Sequence, residues 1–300
     1  MRFANTRSLR IAYLEDGPAD GWPVILSHGF PYDVHAFGQV VPTLIDAGAR
    51  VIRPYCRGFG PTCFLSGDVP RSGQQAARGL DILQLTDALA LDRPILGGFD
   101  WGGNASCVAA ALWPERFSGL VSYAGYDVID VAGQRAPIDP GLERICWYQH
   151  LFQTERGRAG LAADRRGIAA LLWREWSPSW SFDDTAFERS AKAFDNPDFV
   201  DVVIHCYRWM LATIEGDPSL QEVEDRLAGR PAIVIPAVTL DGMRDPLKPG
   251  GTAEQSTMFV GPHEHRTVDC GHALPQEAPQ AFANALLRVR ALSGGKSFSC

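Results

Sequence analysis

None of the seven cysteines stands in a C-x-x-C pair, and no stretch approaches the ~18 uninterrupted apolar residues of a membrane span. An odd cysteine count in a chain of 300 residues argues against a disulfide framework and for a reducing compartment, so a cytoplasmic location is expected. The first residues, MRFANTRSLRIAYLEDG, carry no apolar core of the signal-peptide kind. Basic excess is lacking too. A formal net charge of −7 offers no positive field for nucleic acid. Metal-ligand spacing is limited to His263-x-His265. With no further ligand at matched spacing, that pair is expected in a surface turn, and no metal or organic cofactor is expected. There is no internal repeat and no low-complexity tract, and oligomeric state is not legible.

What is present is an alternating rhythm. Short apolar runs at 23–29, 50–56, 93–99 and 117–125 read as buried strands. Helix-length segments near 35–48, 74–91 and 102–113 separate them. From 127 to about 227 strand signals stop, and aromatic residues among charges suggest several helices. Strand character returns at 232–240 and 265–270, and a last helix follows at about 277–292. The expected architecture is an α/β fold with a mostly parallel, doubly wound sheet. Its core would comprise residues 1–126 plus 227–300, with a helical cap at 127–226 and a flexible tail at 293–300.

The stretch GGFDWGGNAS carries the chemistry. A strand that ends at Phe99 and a helix that starts within two residues force a sharp reversal at Asp100. Small neighbours, Gly98 and Gly102, make room in a G-x-D-x-G frame. The new helix's free N–H groups favour a negative charge there. This frame resembles the nucleophile elbow of the α/β-hydrolase superfamily with aspartate in place of serine, and DWGG resembles its epoxide hydrolase and haloalkane dehalogenase branches.

The resemblance covers nearly the whole chain, and three further segments carry it in the same order. HGFP at 28–31 implies an oxyanion loop, with the amides of Phe30 and Trp101 as donors and His28 as a brace. GMRD at 242–245 implies Asp245 as the triad acid, with Asp241 as competitor. CGH at 270–272 implies His272 as the base. PYCRGFGPT at 54–62 resembles the superfamily loop after the fourth strand and is expected to shape the rim only.

An aspartate nucleophile attacks saturated carbon, and water activated by His272 then hydrolyses the resulting ester. Esterase, lipase and peptidase activities are disfavoured. The epoxide oxygen needs a proton donor, whereas halide does not. Tyr148 in WYQHLFQ and Tyr207 in HCYRWM resemble the paired cap tyrosines of epoxide hydrolases. The expected activity is therefore conversion of an epoxide to a diol. A haloalkane dehalogenase is the alternative, and a hydrolase-fold protein that binds without turnover is the third possibility. Pro31, Trp147 and Trp176 are candidate pocket residues. Five tryptophans in the inserted segment suggest a weakly charged cavity for a small apolar substrate.

Overall fold

The structure, a computed structural model, describes residues 1–294. Among the described residues nine strands form one sheet: β1 (Arg2–Asn5), β2 (Leu9–Asp16), β3 (Trp22–Ser27), β4 (Ala49–Pro54), β5 (Cys63–Phe64), β6 (Ile95–Gly98), β7 (Gly119–Tyr123), β8 (Ala237–Gly242) and β9 (His263–Val268). Their order is β1-β2-β4-β3-β6-β7-β8-β9, with β5 beside β2. Every pair from β4–β3 to β8–β9 is parallel, while the pairs that involve β2 are antiparallel.

The central strands are buried on both faces, as their near-continuous apolar runs require. Helices α1 (Val41–Asp46), α2 (Gln75–Ala88) and α3 (Trp101–Leu112) punctuate the first half. Between β7 and β8 come only helices: α4 (Pro140–Ile145), α5 (Trp147–Leu151), α6 (Glu155–Ala163), α7 (Arg165–Trp176), α8 (Asp184–Ala191), α9 (Phe199–Met210) and α10 (Gln221–Ala228). After β9 come α11 (Leu274–Glu277) and α12 (Pro279–Leu292). On one face of the sheet α1 meets α12; on the other α2 meets α3 and α10. Each face has its own buried apolar cluster.

Side-chain caps start the inserted helices. Asp139, Thr154, Asp164 and Asp183 each accept a backbone N–H of the turn that follows. The segment packs onto the loops at the carboxyl ends of the strands. Trp173 Nε1 donates to the Pro31 carbonyl at 2.8 Å, His272 N to the Trp176 carbonyl at 3.0 Å, and Ala273 N to Ser177 Oγ at 3.0 Å.

Several local expectations need correction. The strands β1 and β2 have no counterpart in the apolar-run reading. β1 alternates with mostly exposed residues, which suits an edge but gives no run. The run at 232–240 is strand only from Ala237 onward, because Pro231 and Pro236 interrupt the ladder and leave Ile233 in an isolated bridge with Phe259. His263 and His265 lie in strand β9, not in a surface turn, and Thr239 Oγ1 sits 2.9 and 3.1 Å from their rings. At the expected tail, Ser293 Oγ donates to the Ser118 carbonyl at 2.6 Å, and residues 295–300 lie outside the described residues.

Where α2 crosses α3, a Cβ on Gly79 would come 2.3 Å from Val108 Cγ1. Gly79→Ala gains about 0.5–1 kcal/mol of helix propensity, but overpacking a tight contact costs about 1–3 kcal/mol. The variant is expected to be less stable by up to about 2 kcal/mol in urea denaturation, and a stabilised variant would contradict this packing.

Candidate active site

The parallel register sets Ser27 of β3 opposite Gly98 of β6, so the loops that follow the two strands emerge side by side. At the β6–α3 turn Asp100 adopts φ 51° and ψ −132°, a conformation that L-residues rarely take and that costs about 1–3 kcal/mol. The glycines around it make this turn possible. A Cβ on Gly102 would lie 1.9 Å from the Ser27 carbonyl, and one on Gly98 would lie 2.2 Å from the Gly102 carbonyl. A Cβ on Gly29 would meet Asp100 Oδ1 at 2.1 Å, so only glycine lets the loop approach the carboxylate.

Two backbone donors hold that oxygen. Asp100 Oδ1 accepts from Phe30 N at 2.7 Å and from Trp101 N at 2.6 Å. Its other oxygen, Oδ2, faces His272 Nε2 at 3.4 Å. His272 Nδ1 lies 2.8 Å from Asp245 Oδ2, and the same Asp245 oxygen accepts from the Tyr123 hydroxyl at 2.7 Å. Leu247 N donates to Asp245 Oδ1 at 2.9 Å. Asp100, His272 and Asp245 thus form one connected line from the turn to the β8 loop.

Burial alone would push the His272 imidazole toward neutrality, but the Asp245 charge, the hydrogen bond that His272 Nδ1 donates to it and the close Asp100 carboxylate overcome it, raising its pKa to about 10. Burial would raise Asp245, yet the facing imidazolium and three hydrogen bonds hold it below the usual carboxylate range. Tyr148 and Tyr207 are buried and stay protonated, since burial and nearby acidic groups push both hydroxyls well above 10. Their rings meet edge-on with centroids 5.2 Å apart, and Gln149 Nε2 donates to the Tyr148 hydroxyl at 3.1 Å.

Asp100, Trp101, Tyr148, Tyr207 and His272 line one cavity of about 410 Å³. The sequence profile of the α/β hydrolase fold matches residues 23–279, most of this chain. The chain belongs to the α/β-hydrolase family. Within this family it is epoxide hydrolase-like. It is 36% identical to a haloalkane dehalogenase of Psychrobacter cryohalolentis over 93% of this chain and 87% of that one. It is 31% identical to epoxide hydrolase B of Mycobacterium tuberculosis over 52% of this chain, a match that spans about half the relative's length, 47%. A crystal structure from Klebsiella pneumoniae, named as a candidate epoxide hydrolase, superposes with a TM-score of 0.94 at 41% identity over 97% of both chains.

His28 and the competitor Asp241 lie apart from the Asp100–His272–Asp245 line, while the three pocket candidates fall elsewhere than expected. Asp241 accepts from Thr252 N and Thr252 Oγ1 at 2.6 and 2.7 Å, so it braces a loop and makes no contact with His272. His28 also braces: Nε2 accepts from Cys56 N at 3.1 Å, and burial lowers its pKa. Pro31, Trp147 and Trp176 do not line the cavity. Pro31 is occupied by Trp173, and Trp147 Nε1 donates to Glu175 at 2.8 Å on the neighbouring helix. Trp176 packs behind the site, its ring 5.2 Å from both His272 and Tyr148. The cavity is not weakly charged, because Arg78, Asp127, Asp130, Arg230 and Lys248 also line it. Tyr123, Arg78 and Lys248 stand in no recognisable motif and were not singled out from the sequence. Among the described residues no group of three or more potential ligands could hold a metal ion. No helix among them is long and apolar enough to cross a membrane.

The high His272 pKa depends partly on the Asp100 charge. Asp100→Asn removes that charge, so the imidazole is expected to titrate lower than in the wild type when followed by NMR. An unchanged titration would show that His272 does not sense the Asp100 charge.

Proposed function

We propose that this α/β-hydrolase is an epoxide hydrolase that forms a covalent ester on Asp100. The observation that carries it is the pair of buried tyrosines sharing one cavity with the carboxylate and the imidazole. Asp100 is the nucleophile. Its Oδ2 attacks a ring carbon while Oδ1 stays on the Phe30 and Trp101 amides. The C–O bond of the oxirane breaks, and Tyr148 or Tyr207 gives a proton to the leaving oxygen.

Ester formation removes the negative charge of Asp100 and so lowers the His272 pKa. The imidazolium can then return a proton to the tyrosinate, which leaves a neutral base. Neutral His272 takes a proton from water, and the hydroxide attacks the ester carbonyl. The oxyanion that forms sits on the Phe30 and Trp101 amides, which already hold Oδ1 in the resting state. Collapse expels the diol oxygen, which takes the proton of the new carboxyl and frees Asp100. Asp245, fixed by Tyr123 and the Leu247 amide, orients the ring throughout.

A haloalkane dehalogenase is the second reading. The 36% identity to the Psychrobacter relative favours it. Halide would need only N–H donors to hold it, with no proton transfer.

Styrene oxide and 1-bromobutane separate the two. Diol from the first is expected in excess over bromide from the second, and the reverse ratio would favour the dehalogenase. The double variant Tyr148→Phe plus Tyr207→Phe is expected to lose about 10²-fold or more of epoxide turnover, the usual worth of a positioned acid. Near-wild-type epoxide turnover in that variant would remove the tyrosines from the mechanism.

A further inference from the structure

The cavity's charges identify a class of substrate, given the epoxide reaction proposed above. Most of its ionic groups find partners within the protein. Arg230 reaches Asp130 at 3.7 Å, and His272 is held between Asp245 and Asp100. Two cations differ. Among the described residues Arg78 and Lys248 have no carboxylate within 4.0 Å, although both line the cavity. Asp127 lines it too. Burial raises its carboxyl to about 6, with Lys248 and Arg78 opposing the rise. Asp81 and Glu224 also feel the Arg78 charge, but Asp81 is paired with Arg57 and Glu224 accepts from Gln74, Gln75 and the Ala76 amide, so neither forms an ion pair with Arg78.

Arg78 is 3% exposed, and its guanidinium lies 4.8 Å over the Trp101 ring. Its hydrogen bonds go to neutral acceptors: Nη2 donates to Asn104 Oδ1 at 2.8 Å and Nη1 to Cys206 Sγ at 3.1 Å. Its Nε has no partner. Arg78 also borders a smaller void of about 30 Å³, so part of its surface faces away from the cavity. Burying a cation without an ion pair costs several kcal/mol, and a hydrophobic side chain would serve packing better. Trp101 supplies one of the amides that hold Asp100, so this cation sits one ring from the nucleophile. Lys248 follows the Asp245 loop and is one of three lysines in the chain.

We propose that the cavity takes epoxides that also carry a carboxylate, held by Arg78 and Lys248 while the oxirane faces Asp100. The two cations offset the repulsion that the nucleophile would exert on a second anion. Guanidinium matches a carboxylate in a two-pronged geometry, and lysine supplies a mobile second charge.

The test uses terminal epoxy acids with two to eight carbons between oxirane and carboxylate, each paired with its primary amide. The quantity read is the acid-to-amide ratio of kcat/KM, so a general loss of activity cancels. For the best-matched length the wild type is expected to favour the acid by about 10-fold or more, the worth of a charged hydrogen bond. Arg78→Met is expected to bring that ratio near one, and Arg78→Lys to retain part of it. Lys248→Met, at a half-buried loop position, is expected to lower it and covers the case in which Arg78→Met does not fold. Ratios near one at every length in the wild type, or a ratio unaltered in both Met variants, overturn the proposal. Calorimetric binding of the diol acid and diol amide reads the same preference without turnover. Styrene oxide hydrolysis with no acid preference sinks the carboxylate site alone. Preferred binding of the diol acid with no turnover of any epoxide sinks the reaction and leaves the site.

Discussion

One backbone residue in an uncommon conformation organises this molecule. Asp100 turns the chain from β6 into α3 at positive φ, and every neighbour is shaped by that turn. Gly98 and Gly102 give up their side chains so that two backbones can touch, and Gly29 does so to let the carboxylate in. The sheet contributes register: with Ser27 beside Gly98, the Phe30 amide reaches the same oxygen as the Trp101 amide. The strain is small beside the packing that enforces it, since α3 is buried nearly throughout.

The second constraint is electrostatic. Asp100 and Asp245 flank one imidazole, and their joint field keeps it cationic against the cost of burial. A base that is protonated in the resting site cannot activate water. In the mechanism proposed above it becomes competent only when the charge of Asp100 is consumed by a covalent bond. In the proposed cycle the ester therefore creates the base that hydrolyses it, which couples the two half-reactions in order.

Legibility in the sequence follows locality. The elbow, the HGFP loop, Asp245 and His272 each lie in a short stretch whose residue types are dictated by a turn, so they could be found one by one, and the structure brings them within hydrogen-bonding range. Tyr148 and Tyr207 lie 59 positions apart and share a cavity because α5 and α9 meet over Phe30. Trp147 and Trp176 could not be sorted from composition. Which face of a short helix turns inward is decided by partners such as Glu175 and His272. Arg78 was hidden for a similar reason: it lies on α2 in no motif, and only the crossing of α2 with α3 brings it to Trp101. The Tyr123 hydroxyl reaches Asp245 across the β7–β8 pair, a contact that no local pattern encodes.

The central claim is that one carboxylate bonds to carbon and is then released by water. It is tested most directly by single-turnover mass spectrometry of His272→Gln with styrene oxide. An adduct of the epoxide's mass on the peptide that contains Asp100 is the predicted result. Epoxide consumed with that peptide unmodified, or modified at another residue, would contradict the account.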